Sequence, residues 1–218
     1  MIRGMEATRI IAIRHGETPW NRESRIQGHL DIPLNDRGRT QAERLARALA
    51  DRDDIHAIYS SDLLRASATA QMTADAIGAP VYLTPALRER CFGDYEGSTF
   101  AHVTQAWPEQ AEKWRKRDPH WSPPGGGESL TSLQQRLKQT VDELASRHVG
   151  QQIALFTHGG VLDVLYRLAT GLGLQDARTW ELGNAAVNRL LWTPGGLSLV
   201  GWGDQSHLDG IALDESTA

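Results

Sequence analysis

Thr8-Arg9-Ile10-Ile11-Ala12-Ile13-Arg14-His15-Gly16-Glu17-Thr18 decides how this chain folds. The run from Thr8 to Ile13 is short, apolar and β-branched, which predicts a strand of a parallel sheet with both faces buried. It breaks off at Arg14-His15-Gly16, so an arginine and a histidine stand where a buried strand ends. In open α/β sheets ligands bind just beyond the carboxyl ends of strands. Polar residues that follow an apolar run therefore mark the candidate site.

Further along, Gln41, Ala42, Leu45, Ala46, Ala48 and Leu49 recur at helical spacing behind the capping residues Asn35 and Asp36. Ile55 to Tyr59 predicts a second strand, followed by Ser60-Ser61-Asp62 and a helix through Leu64, Ala68, Met72 and Ala76 that Gly78 closes. Val81 to Leu83 gives a third, weaker strand. Ser129 opens a long helix to about His148, Gln152 to Thr157 forms a central strand, and Gly160 to Leu168 starts another helix. Ala186 to Leu191 and Leu197 to Trp202 flank a turn at Pro194-Gly195-Gly196. This alternation predicts an α/β fold, a three-layer sandwich with a mostly parallel central sheet and helices on both faces. A single domain over residues 1–218 is expected. Its one insertion, at about 99–127, carries tryptophans and charges, ends in Ser122-Pro123-Pro124-Gly125-Gly126-Gly127 and lies over the active-site end of the sheet. The polar tail from Asp209 to Ala218 reads as mobile.

A chain of 218 residues, 40% hydrophobic and 23% charged, can bury roughly 70% of the surface that its unfolded form exposes. It needs no metal or disulfide staple. No apolar run approaches the roughly 20 residues of a membrane span, and Ile10 to Ile13 is too short for a signal-peptide core. The only cysteine, Cys91, cannot form an intrachain disulfide, which agrees with a cytoplasmic location. A formal charge of −4 argues against nucleic acid as a partner, because such binding draws on many lysines and arginines. A homodimer is compatible with everything above.

The residues beyond the strands are chemically coherent. Strand one delivers Arg14 and His15; strand two delivers Ser60-Ser61-Asp62 with Arg65 one helical turn on; Arg88-Glu89-Arg90 follows strand three; the central strand delivers Thr157-His158-Gly159-Gly160. The two histidines, with two of these arginines and one of these carboxylates converging on one edge, suit phosphoryl transfer. The equatorial oxygens of a phosphomonoester must be neutralised before a nucleophile can approach, and an arginine fork does this while keeping its charge. An imidazole nucleophile splits the displacement in two, and a carboxyl group protonates the departing alkoxide. The two histidines as metal ligands are disfavoured, because arginines repel a cation and no third ligand stands at a spacing such as His-x-x-x-His. Glu89 has a plainer alternative, as half of an ion pair with Arg88 or Arg90.

Ile13-Arg14-His15-Gly16-Glu17-Thr18 with Asn21, Gln27-Gly28 followed by Asp31-Ile32-Pro33-Leu34-Asn35 and Gly38, Tyr59-Ser60-Ser61-Asp62-Leu63-Leu64-Arg65-Ala66, Glu89 with Gly93 and Glu96-Gly97, Gly127-Glu128-Ser129, and Thr157-His158-Gly159-Gly160 occur together in that order. In this the chain resembles the histidine phosphatase superfamily and its phosphoglycerate mutase-like fold. The resemblance implies a phosphorylated nucleophile at His15, phosphoryl-binding roles for Arg14, Arg65 and His158, and a proton donor at Glu89. It places Asn21, Gln27, Gly28 and Gly159 around the same group and implies no metal and no cofactor. Arg90-Cys91-Phe92-Gly93 after the acid is similar to the phosphatase branch rather than to the glycolytic mutases, so hydrolysis of a small phosphomonoester is expected. Cofactor-dependent phosphoglycerate mutase is the alternative, and a catalytically silent phospho-ligand binding module comes last.

Two expectations concern protonation. To attack, His15 must be neutral at one ring nitrogen, so its other N–H should point at a backbone carbonyl, that of Gly16. His158, beside the phosphate, should be charged. Trp107, Trp114 and Trp121 fall seven apart, although Pro108 and Pro119 interrupt a continuous helix. Core packing is their expected use. Some of them are alternatively a wall for an apolar leaving group, with Lys113, Arg115, Lys116 and Arg117 on the outer side. Cys91 is assigned no role.

Overall fold

A computed structural model describes residues 7–210; the first residues and the end of the polar tail lie outside the described range. The strands are β1 (Thr8–Arg14), β2 (Ala57–Ser60), β3 (Val81–Leu83), β4 (Gln152–Thr157), β5 (Val187–Thr193) and β6 (Gly196–Asp204). The helices are α1 (Pro19–Arg22), α2 (Asp36–Arg52), α3 (Leu64–Ile77), α4 (Phe100–Ala106), α5 (Pro108–Arg115), α6 (Leu130–Ser146) and α7 (Gly159–Thr170).

The six strands form one sheet in the order β3-β2-β4-β1-β5-β6. The first four in that order run parallel, β5 runs antiparallel to β1, and β6 runs antiparallel to β5. Along β1 the alternation of a strand sorts side chains to two faces. Ile10 and Ala12 pack with Leu133, Leu137 and Val141 of α6 and with Val161 and Leu165 of α7. Ile11 and Ile13 pack with Leu45 and Leu49 of α2 and Ala70 and Ala74 of α3. This is the expected three-layer sandwich, and each buried Leu or Ile in it contributes on the order of 1.5–3 kcal/mol.

Local signals set the boundaries. The Asn35 side chain accepts from Gly38 N at the start of α2, Ser129 caps α6, and Gly78 closes α3 in the left-handed conformation. Segment 99–127 contains α4 and α5, broken at Trp107 because Pro108 opens a new helix at its first turn. Its small core is centred on Tyr95, which Trp107, Trp114 and Trp121 surround with ring centroids at 5.4, 5.9 and 6.3 Å. Packing is thus the first use of these tryptophans.

Sheet register does the positioning. β1 and β4 pair with Arg14 opposite Thr157, so the next residues, His15 and His158, emerge side by side. β2 pairs with β4 at Ser60 opposite Phe156, which brings Ser61 to the same edge.

Candidate active site

His15 is buried at the carboxyl end of β1, its backbone N–H donating to Thr157 O at 3.0 Å. Its Nδ1 lies 2.7 Å from Gly16 O, and since a carbonyl only accepts, that nitrogen carries the proton. The lone pair is left on Nε2, as expected. Burial first, then the charges of Arg65 and Arg14, push the His15 pKa well below the ordinary histidine value, against a smaller opposing effect of the Gly16 bond. The ring is neutral at pH 7.

Arg65, 1% exposed, donates from Nη1 to Leu30 O at 2.9 Å and from Nη2 to Gly28 O at 2.8 Å, while burial lowers its pKa to about 10. Arg14 donates from Nη1 to Leu182 O. The Nε of each is buried without a protein partner, and so is Nδ1 of His158. The His158 ring stands 5.2 Å from that of His15, with Nε2 2.8 Å from Ser61 Oγ. The expected charge on His158 is not supplied by the protein. Burial, then Arg65, His15 and Arg14, push its pKa well below the ordinary value, and only an added negative charge would reverse that sign.

Glu89 is not half of an ion pair among the described residues. Arg88 engages Asp62 through two bonds of 2.7 and 2.6 Å, and Arg90 donates to Glu128 O at 2.7 Å. The Glu89 carboxylate is held instead by backbone, Oε1 accepting from Arg90 N at 2.8 Å and Oε2 from Gly160 N at 3.0 Å, in the first turn of α7. A Cβ at position 160 would lie 2.3 Å from Glu89 Oε1, so glycine is what lets the acid seat there.

The remaining expected residues divide. Gly159 lines the cavity with Arg14 and Glu89. Asn21, Gln27 and Gly28 also tie the loop together: Asn21 Oδ1 and Gln27 Oε1 both accept from Thr18, at 3.1 and 3.0 Å from its hydroxyl, and Gly28 O receives Arg65. At Gly28, φ is +50° and a Cβ would come 2.0 Å from Glu96 Oε1. Arg117 contradicts its expected place on the outer side. Its backbone turns back at φ +53°, its Nη2 meets Asp163 Oδ2 at 2.5 Å, and both residues line the cavity with Phe92 and Trp114.

One residue escaped sequence reasoning altogether. Asn184 Nδ2 donates to His15 O at 2.9 Å and lies 3.4 Å from Asn21 Oδ1. The next residue, Ala185, is held at φ +54° with its N–H shared between Arg14 O and His15 O. Both residues precede β5, and because β5 is antiparallel to β1, its amino end meets the carboxyl end of β1. Searching only beyond carboxyl ends passes over them.

Residues 10–205 match the histidine phosphatase superfamily (branch 1). Phosphoglycerate mutase-like protein 4 of Arabidopsis thaliana is 41% identical over 208 residues, 92% of this chain and 86% of that one. A metal-independent phosphoserine phosphatase of the same plant is 35% identical over 95% of this chain and 86% of its own. Among solved structures, a mycobacterial glucosyl-3-phosphoglycerate phosphatase superimposes with a TM-score of 0.81 at 32% identity, covering 91% of this chain and all of that one (100%).

Proposed function

This chain belongs to branch 1 of the histidine phosphatase superfamily, and we propose on that premise that it hydrolyses a small phosphomonoester through a phosphohistidine at His15. One observation carries the reading: the ring nitrogen of His15 opposite its tethered Nδ1 is left unprotonated, beside two arginines and a histidine that each keep a buried, unpartnered nitrogen. Unpartnered buried donors are unfavourable unless a ligand completes them.

In the first step Nε2 attacks phosphorus, an N–P bond forms and the ester P–O bond breaks. The Glu89 carboxyl group gives its proton to the departing oxygen. Arg14, Arg65 and His158 hold the equatorial oxygens as charge spreads over them. In the second step water attacks phosphorus, Glu89 takes a proton from it, and the N–P electrons return to His15. Gln27 and Gly28 serve this chemistry at one remove, through Thr18 and Arg65. Asn21 and Gly159 complete the ring of donors. The enzyme is a metal-independent phosphatase working as one unit, with the 99–127 segment as a cover over one side of the cavity. No described helix is long and apolar enough to cross a membrane. With a lone cysteine, this favours a cytoplasmic enzyme without membrane or nucleic-acid partners, whether monomer or homodimer.

Release of nitrophenolate from p-nitrophenyl phosphate in EDTA, with acid-labile phosphate trapped on wild type and absent from His15→Ala, tests the reading. Turnover that survives His15→Ala overturns it. Activity seen only with 3-phosphoglycerate plus added bisphosphoglycerate would favour the mutase.

A further inference from the structure

The cavity bordered by Arg14 and Glu89 encloses about 470 Å³, room for a whole small molecule rather than a phosphoryl group alone. Its charge is unbalanced: Arg14, Arg90, Arg117 and Arg178 face only Glu89 and Asp163. Arg14 is tied to Leu182 O, Arg90 to Glu128 O, and Arg117 to Asp163 and Leu174 O. Arg178 alone among the four makes no hydrogen bond or ion pair with a described residue, and its charge repels that of Arg14. Glu89 offsets part of the charge on Arg14, and the positive charge that remains on this side of the space is relieved by an anion.

The segment carrying Arg178 is anchored. Two residues on, Trp180 is buried, stacked at 3.9 Å on Tyr166 with Arg167 over its ring, and Leu182 O receives Arg14. An arginine on a tethered segment loses little freedom on capturing a ligand.

We propose that Arg178 binds a second anionic group on the leaving group, a carboxylate or phosphoryl type of anion, and so selects doubly anionic phosphomonoesters. The proposal rests on the phosphatase reading above. It concerns neither the scissile phosphoryl group nor the residues that hold it.

Phenyl phosphate, 4-carboxyphenyl phosphate and 4-phosphonophenyl phosphate share one scaffold and differ in the added anion. For the wild type, kcat/KM should favour at least one of the anionic esters over phenyl phosphate by about tenfold, the order expected of a charge-assisted bond. Raising salt should shrink that preference, because Arg178 is exposed. Arg178→Ala should collapse the ratio toward unity through KM, and Arg178→Lys should retain part of it. A wild type without preference, or a ratio that Arg178→Ala leaves unmoved, overturns the proposal while leaving the phosphatase intact. Failure to hydrolyse any of the three, with no trapped phosphohistidine, sinks the phosphatase reading and this proposal with it.

Discussion

The floor at the strand ends, where His15 and His158 meet, and the segment that borders the adjoining cavity as its proposed cover are built on different forces. On the floor, backbone decides: ladder register sets His15 beside His158, carbonyls hold Arg65 and the Nδ1 proton, and two amides seat Glu89. In the cover, side chains decide, through the aromatic stack around Tyr95 and the joint from Arg117 to Asp163. Backbone contacts survive most substitutions around them, whereas side-chain packing changes with each one. A cover of this kind can be rewritten for a new leaving group while the chemistry below stays in register.

The largest effect should come from the floor. Glu89→Gln should lower kcat/KM on an alkyl phosphate by about a thousandfold, and far less on p-nitrophenyl phosphate, whose leaving group departs without a proton. Equal losses on both would make Glu89 a structural prop.

Next comes the joint. Asp163 receives Arg117 and also Arg167, which is fully buried. Asp163→Asn strands that cation and should remove about 3 kcal/mol of stability by urea denaturation. Arg117→Ala should cost about 1 kcal/mol, since Asp163 keeps Arg167 and Arg117 is partly exposed. Equal losses would erase the distinction between joint and cover.

Asn184→Ala should slow phosphohistidine formation about tenfold at nearly unchanged KM, because a displaced nucleophile loses rate rather than affinity. Asn184→Asp should do no better, having no N–H for His15 O. A lowered urea midpoint at unaltered kcat would reduce Asn184 to a structural residue. Smaller still, Trp114→Ala should weaken turnover of aromatic phosphoesters a few-fold more than that of small ones, and equal loss would deny it a part in the wall.

The smallest effect expected is a null one. The folded pKa of His15 lies well below 6.5, so phosphohistidine formation should not lose its neutral nucleophile as pH falls through 6.5. Stability should respond differently. Below 6.5 the unfolded chain takes up protons that buried His15 and His158 refuse, so the urea midpoint should fall with pH there. A phosphorylation rate that drops in step with an ordinary histidine titration would break the assignment of His15 as held neutral.

Much of the floor was legible in the sequence because it obeys rules with a short reach. Buried parallel strands are apolar runs, the residues after them reach the ligand edge, and caps such as Asn35, Ser129 and Gly78 announce helix ends. Asn184 was missed because an antiparallel strand brings its amino end to that edge. Arg117 was misplaced because a reversal at positive φ in a non-glycine residue leaves no local signal. The charge expected on His158 belongs to the anion-bound site, and what the sequence could not show is how far burial and two neighbouring arginines, properties of the assembled fold, push the pKa down before an anion arrives.

Three of the seven tryptophans crowd around Tyr95, and one of them, Trp114, also borders the cavity. The cover therefore carries its own optical gauge. A molecule lodging against Phe92 and Trp114 displaces water from one indole of a coupled cluster, so the intrinsic emission of the unlabelled enzyme becomes a readout of occupancy, independent of turnover.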